Sequence, residues 1–428
     1  MPSITEEQYL KTDVENYINR KLVEAASKGY VGSIKYLMEK GADINTNDGE
    51  ALKAAAHYGH LKVVKHLVEN GAIINTERSY APITIAANRG KVSIVKYLIE
   101  QGADIHIHDE DPLIQAAIEG QLEVVKTLVE NGANIHARNE CALRAAAAKG
   151  HKDMVKFLVE HGADIHAVDE AAFWWAVNAG CLDIVKYLVE KGADIHIKNE
   201  YAFTTAIDNK KIEIIKYLIE KGAQVQTGHN KALRCAIEWG EVELVKLLVE
   251  KGADIRVENL PLKSAAGYGH LEIVKYLVEQ GADINVLGEE ALYEAASKGH
   301  PAVVKYLIEK GAKIHPNALP VAAARGDIKT VKLLLERGAD VHTWKEYALK
   351  QAIYYDHLEV VKCLIQHGAD VKEVDLSSIE SPIILDTLLE ALTEEELLAL
   401  LVSNNKKIRE TVKAFLERGK GDGLNKSL

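Results

Sequence analysis

The feature that leaves this chain least freedom is a phrase that keeps returning. Residues 182–196 read LDIVKYLVEKGADIH, and near-copies recur to beyond residue 370. A Gly-Ala pair marks each copy, with its glycine at Gly41, Gly71, Gly102, Gly132, Gly162, Gly192, Gly222, Gly252, Gly281, Gly311, Gly338 and Gly368. The gaps between them are 30, 31, 30, 30, 30, 30, 30, 29, 30, 27 and 30 residues. A fixed period of this size belongs to proteins that stack one small unit on the next. The 428 residues therefore read as twelve repeats, numbered here by their glycines, and not as the two or three domains that length alone implies.

Ahead of each pair runs a segment such as LEVVKTLVE, in which Leu122, Val125, Leu128 and Val129 fall at helical spacing. The glycine stands where a helix end favours a left-handed residue. Upstream lies a shorter, alanine-rich stretch such as CALRAAAAKG, an earlier helix with its own closing glycine. Four residues before that closing position stand Ala25, Ala55, Ala86, Ala116, Ala146, Ala176, Ala206, Ala236, Ala265, Ala295, Ala322 and Ala352. A side chain that never grows implies helices touching across repeats, where a larger residue overpacks by roughly 1–3 kcal/mol. Three positions earlier, Leu22, Leu52, Ile83, Leu113, Leu143, Phe173, Phe203, Leu233, Leu262, Leu292, Leu319 and Leu349 form a core column.

First helix, turn, second helix, Gly-Ala-Asp, short finger: this order resembles the ankyrin repeat. The motifs that carry the likeness are AA-x-x-GH at Ala55 to His60 and Ala265 to His270, and VVKxLVExGADI over Val155 to Ile165. Weaker echoes of the family's TPLH stand at Ala81 to Thr84, Asp111 to Ile114 and Leu260 to Lys263. The likeness covers about residues 21–375. It implies an all-α fold, an ankyrin-repeat solenoid of about twelve helix-turn-helix units with short fingers and helical end caps. The sequence departs from the family in its period, about three residues short of the usual 33, and in replacing threonine-proline by residues such as Asp48, Asn139, Asp169 and Asn199, which are good N-caps. The 30-residue form resembles arrays encoded by giant DNA viruses of amoebae.

Hydrophobic content of 47% is ample for a continuous core. A net charge of −11 argues against general nucleic-acid binding, which needs a basic face. Cys141, Cys181, Cys235 and Cys363 occupy unrelated repeat positions without a C-x-x-C pair, which disfavours both zinc and a disulfide framework and fits a reducing compartment. The start, MPSITEEQ, is no signal peptide, and no apolar run approaches 18 residues, so no membrane span is expected. These features fit the cytoplasm, that of a host cell if the viral likeness holds, with the nucleus still open.

Residues 1–20 read as an amphipathic capping helix, with Thr5-x-x-Gln8 as a capping box. Lys210 and Asp356 replace the glycine that closes a first helix, at about 1 kcal/mol each if the backbone is left-handed there. Repeat eleven is three residues short, with Pro320 inside its first helix, so a stub of a finger with a local bend or gap is expected. Residues 376–418 read as about three helices, with Thr393-x-x-Glu396 as a second capping box, and residues 419–428 as a loose tail. Thr411 to Gly419 nearly repeats TVKLLLERG of repeat eleven, which reads as a degenerate closing repeat. The competing reading is that Ser381 to Asn404 resembles an F-box, through Pro382, Leu385, Leu388, Leu389, Leu392, Leu397, Leu398, Leu400, Val402 and Ser403. That likeness implies a Skp1-type ubiquitin-ligase component as partner. Ser381 stands in place of its customary leucine, and no tryptophan follows.

Candidate chemistry is sparse. His106, His136, His166 and His196 are aligned, but stacked repeats sit roughly 10 Å apart, too far for one ion held at about 2.0–2.1 Å. No metal or other cofactor is expected. His60, His151, His270, His300 and His357 follow a closing position and read as bonded to loop backbone. Asn45 and Asn285 resemble the asparagine that an iron-dependent hydroxylase modifies in ankyrin proteins, which would make the chain a substrate. Each second helix carries a lysine, with a glutamate four residues on in eleven of twelve repeats, a neutralised outer face. No phosphate loop, nucleophile elbow or unique carboxylate pair appears, so the chain reads as no enzyme.

The side chains left over are those that vary between repeats. On first helices these lie five, two and one before the closing position and include Lys149, Trp175, Glu238, Trp239, Tyr268 and Tyr355. Trp174 replaces the TPLH histidine, and Arg138, Lys198, His229 and Trp344 stand at finger tips. In ankyrin proteins this surface is a concave groove that commonly meets a partner. Tryptophan, tyrosine and arginine dominate binding hot spots. The expectation is a protein partner of unknown identity on Trp174, Trp175, Trp239 and Tyr268, with the tips contributing.

Overall fold

The structure, a computed structural model, describes residues 6–76, 80–256, 260–285, 290–403 and 405–419. Among these the chain forms 27 α-helices, short 3-10 turns at Val371–Glu373 and Leu376–Ser378, and no strand. Each repeat supplies a pair, as in Ala137–Lys149 with Lys152–Glu160 and Ala167–Ala179 with Leu182–Glu190. Two units result: Met1–Gln224, with repeats one to seven, and Val225–Leu428, with repeats eight to twelve and the C-terminal helices. Within each unit, first helices pack on the first helices of neighbouring repeats and second on second.

All twelve column alanines and all twelve core-column residues are buried in their own units. The alanine carries a second duty. Its carbonyl accepts the N–H of the residue after the closing position, 2.9 Å from His151 to Ala146 and 2.8 Å from Lys211 to Ala206. This is the longer bond of a Schellman ending, whose closing residue is left-handed. Gly120 closes the first helix of repeat four at φ +71°, and a Cβ there would lie 2.7 Å from the His151 ring. Lys210 and Asp356 hold the same conformation at φ 50° and 59°. The histidines of this loop do bond backbone, but of the preceding repeat: His60 Nε2 meets the Ser27 carbonyl at 2.9 Å and His151 that of Ile118 at 3.0 Å.

The fingers are not simple loops. Asn47-Asp48-Gly49, His108-Asp109-Glu110, Arg138-Asn139-Glu140, Val168-Asp169-Glu170, Lys198-Asn199-Glu200, Gly228-His229-Asn230 and Trp344-Lys345-Glu346 are each a left-handed turn of three residues. This corrects the N-cap reading of Asp48, Asn139, Asp169 and Asn199. They stand at φ 61°, 53°, 54° and 57°, whereas an N-cap residue is extended. Asn and Asp suit the middle of such a turn because their short polar side chains tolerate left-handed backbone.

The segment read as a separate N-terminal cap runs, from Glu6, into the first helix of repeat one as the single helix Glu6–Lys28. Its Asn19 Oδ1 accepts the Asp43 N–H at 2.8 Å. Thr5 of the expected capping box lies outside the described residues. In repeat eleven the chain passes from the Gly-Ala pair into the helix Ala318–Ala324 without a left-handed turn. Pro320 lies in the first turn of that helix, where an N–H has no intrahelical partner to lose, so the helix is not broken. After repeat twelve come Pro382–Glu390, Glu394–Leu401 and Lys406–Gly419, and Thr393 and Glu396 close the expected capping box at 3.3 and 2.9 Å. Among the described residues no helix is long and apolar enough to cross a membrane.

Candidate functional site

In the first unit the helix Ala167–Ala179 presents Trp174 and Trp175 side by side. Trp174 is half-buried and turns its polar edge into the array, its Nε1–H donating to Thr205 Oγ1 at 2.9 Å. Its ring stacks on Tyr201 at 5.8 Å and meets Trp175 edge-on at 4.5 Å. Trp175 is 36% and Tyr201 49% exposed, so Trp174 positions a pair of aromatic faces that solvent reaches. Tyr201 had no place among the sequence candidates. It opens the first helix one repeat on, and only the stacking shows that it belongs to the cluster.

The basic candidates of this unit are largely spoken for. Arg138 is exposed but donates to the His108 carbonyl and lies 3.5 Å from Asp109 and 3.8 Å from Asp111. Lys198 pairs with Asp169 at 2.8 Å. Lys149 is exposed at its helix end.

In the second unit Trp239 is half-buried and Glu238 exposed. Tyr268 is 50% exposed and stacks on His270 at 6.1 Å. Tyr355 repeats that arrangement on His357 at 6.4 Å, with Tyr354 edge-on at 4.9 Å. Trp344 stands 67% exposed at the tip of its left-handed turn. The four mid-array aromatics thus divide between the units, Trp174 and Trp175 in one, Trp239 and Tyr268 in the other.

Sequence reasoning missed a set of carboxylates. Nδ1 of His106, His136, His166, His196 and His342 lies 2.5 Å from Oε1 of Glu110, Glu140, Glu170, Glu200 and Glu346, four residues on. These glutamates are 1–4% exposed, and their Oε2 atoms are buried without a partner. The bond to glutamate is the main cause that raises His106, His166 and His342 above the ordinary imidazole range. The Asp340 and Asp370 carboxylates add to this at His342. The signal was a His–Glu pair at i, i+4 recurring in five repeats. Where Asn45 and Gln226 replace the histidine, Gly49 and Asn230 stand in place of the glutamate. Asn45 bonds instead to the loop at the following Gly-Ala pair, accepting from the Ile73 N–H at 2.8 Å and donating to the Gly71 carbonyl at 3.1 Å. Asn285 does the same with Lys313 and Gly311 at 2.9 and 3.4 Å.

Five of the described second-helix lysines pair with the glutamate three residues before, among them Lys126–Glu123 at 2.7 Å, Lys246–Glu243 at 2.9 Å and Lys275–Glu272 at 2.7 Å, while Lys305 meets Glu309, four after, at 3.9 Å. Among the described residues no three histidine, cysteine or acidic side chains converge as a metal site requires.

A family model described as ankyrin repeats, in three copies, matches residues 12–78, 55–139, 113–199, 173–259, 257–318 and 314–375. No curated protein matches the chain.

Proposed function

Because this chain belongs to the ankyrin-repeat family, we propose that it is a non-catalytic module that grips a protein partner with the side chains its packing does not use. Ankyrin repeats indicate a protein–protein interaction module, and no enzyme family is indicated. The observation that carries the reading is aromatic surface outside the core column: Trp175 with Tyr201 in the first unit, and Tyr268 in the second. Rigid aromatic area of this kind is what binding hot spots use. Trp239 and Glu238 stand at the end of the first helix one repeat before Tyr268, and Arg138, Lys149, Lys198, Trp344 and Tyr355 would add contacts at tips and helix ends.

The test is affinity purification from the native cell, followed by binding measurements on the partner found. Trp175→Ala and Trp239→Ala should each weaken binding by about 2 kcal/mol while the helical signal persists. Unchanged affinity in both variants would remove these surfaces from the proposal. A viral origin and a cytoplasmic location, in a host cell if viral, belong to the same proposal and rest on the 30-residue form and on composition.

A second reading has a specific observation behind it. Ile383, Leu398 and Val402 are 65%, 52% and 82% exposed on the C-terminal helices, within the F-box-like stretch. A ligase adaptor would use such residues to hold a Skp1-type component while the repeats select a substrate. Capture of a purified Skp1-type protein by the full chain, abolished by Ile383→Asp with Val402→Asp, supports this reading; absence of capture removes it.

A further inference from the structure

The loop that closes the first helix of repeat three carries two cations, Arg89 and Lys91, on either side of Gly90. Both reach back to the matching loop of repeat two. Arg89 Nε donates to Nδ1 of His57 at 3.3 Å. Lys91 runs over Gly59, where an added Cβ would stand 3.0 Å from its Cε and 3.2 Å from its Nζ. Tyr58 lies between His57 and Gly59. It is 58% exposed, with the His57 ring edge-on at 4.7 Å and the His60 ring stacked at 6.4 Å.

Neither cation is spent on the fold. At the loop position of Lys91, His60 and His151 bond to a carbonyl of the preceding repeat, and Gln121 donates to that of Asn88 at 3.3 Å. Among the described residues Lys91 makes no such bond, and neither Arg89 nor Lys91 pairs with a carboxylate. The neighbouring acids lie elsewhere. Glu24 of repeat one is held by Lys21 and Lys28 at 2.8 and 2.7 Å, and Glu119 of repeat four is exposed and meets neither cation. His57 feels both: burial foremost, then the charges of Arg89 and Lys91, hold its imidazole below the ordinary range, so it stays the neutral acceptor that Arg89 needs. At Tyr268, whose ring stacks on His270 in the same way, the next loop brings Lys298 and His300, and His300 is spent on the Gly267 carbonyl at 2.9 Å.

We propose that Arg89 and Lys91, astride Tyr58, bind one carboxylate side chain of a protein partner. The terminal N–H groups of Arg89 form a fork that fits a carboxylate, Lys91 adds a point charge, and the Tyr58 ring offers apolar surface to the chain that carries the acid. His57 is a positioning residue, which fixes the guanidinium by taking its Nε–H. The proposal rests on the protein-recognition reading and adds a charged contact to its aromatic ones. A nucleic acid needs a run of cations. Here the same helix-end position holds Lys28, neutralised by Glu24, on one side and Glu119 on the other, so the site is one anion wide. The net charge of −11 is spread along the whole chain and screened over about 8 Å, which leaves the local pair to decide.

The test is a phage-displayed library of random dodecapeptides panned on the full chain, with the most enriched peptide synthesised. Each aspartate or glutamate of that peptide is changed in turn to its amide. Affinities are measured on the unaltered chain and on a chain with Arg89→Gln and Lys91→Gln, and thermal melts confirm that each variant folds. One acid should matter. Its change to the amide should cost at least about tenfold on the unaltered chain and almost nothing on the double variant. His57→Gln, which keeps an acceptor for Arg89, should retain most of the affinity, and His57→Leu should lose it. Bound peptide should also move the titration of His57, followed by NMR of its ring, to higher pH, because the carboxylate offsets both cations. A winner without an essential acid, a winner that binds the double variant equally well, or binding of oligo-dT in its place would overturn the proposal. Winners that depend on Trp175 or Trp239 but on neither cation would remove this site and leave protein recognition standing. A chain that enriches no peptide would count against both.

Discussion

Repeats five and eleven use the stretch between the Gly-Ala pair and the first helix in opposite ways. Repeat five devotes six residues, His136 to Cys141, to a left-handed turn anchored by the bond of an exposed His136 to a buried Glu140; repeat eleven has three, His315 to Asn317, and makes no such turn. Below that point they are alike. Leu143 and Leu319 are 1% exposed, Ala146 and Ala322 fully buried. Both first helices end on the same bond, His151 to Ala146 at 2.9 Å and Asp327 to Ala322 at 3.1 Å. Packing therefore requires the helix pair and its closing motif, while the turn is an addition that each repeat can keep or lose.

That division predicts matched losses in the core. Leu143→Ala and Leu319→Ala should each cost about 2–5 kcal/mol in urea unfolding. If Leu319→Ala costs much less, the stub has loosened its core and the two repeats are not equivalent. The anchor should behave differently, because only repeat five has it. Glu140→Ala should cost about 1–3 kcal/mol by leaving the turn without its buried partner. Glu140→Leu should cost less, since it keeps most of the buried volume and loses only the bond to His136. Equal costs for the two changes would mean that the His–Glu bond, and not the volume the glutamate fills, carries its contribution.

The same division explains what was legible in the sequence. The alanine and leucine columns obey the period because helix contact permits one size at each place, so counting alone finds them. The left-handed turn escaped because Asn139 and Asp169 suit two conformations, an N-cap and a left-handed residue, and composition does not choose between them. Glu140 and Glu170 escaped notice because a lone glutamate is rarely buried; only their pairing with His136 and His166 four residues before distinguishes them. Trp174 lay between core and surface for a concrete reason: its ring is exposed on one side while its N–H is committed to Thr205.

Left-handed positions occupied by ordinary side chains give the next, smaller effect. Asp356 at φ 59° closes a first helix where ten of the other repeats have glycine. Asp356→Gly should stabilise the second unit by about 1 kcal/mol, the left-handed penalty less part of glycine's extra chain entropy. A thermal melt that moves down instead would show that the Asp356 side chain makes a bond worth more than the strain.

The smallest expected effect is that of pH on the turns. At His166 the bond to Glu170 comes first in raising the imidazole above its ordinary 6.5; Glu170, Asp164 and Asp194 add their charge, and burial works against them. A group whose folded value lies above its unfolded one contributes stability that is fully present below the unfolded value and is lost as pH rises through the folded one. The turns with His106, His166 and His342 should therefore weaken as pH rises from about 6 to about 8. His57 runs the other way, since burial foremost, with Arg89 and Lys91, holds it below the ordinary range. The comparison must accordingly be between variants and not within one chain. His166→Asn places at this turn the residue that repeat two carries at Asn45, and it should flatten the fall in melting temperature between those two pH values. A slope unchanged by His166→Asn would mean that the imidazole holds Glu170 without its charge, and that the turn of repeat six is no more sensitive to pH than the stub of repeat eleven.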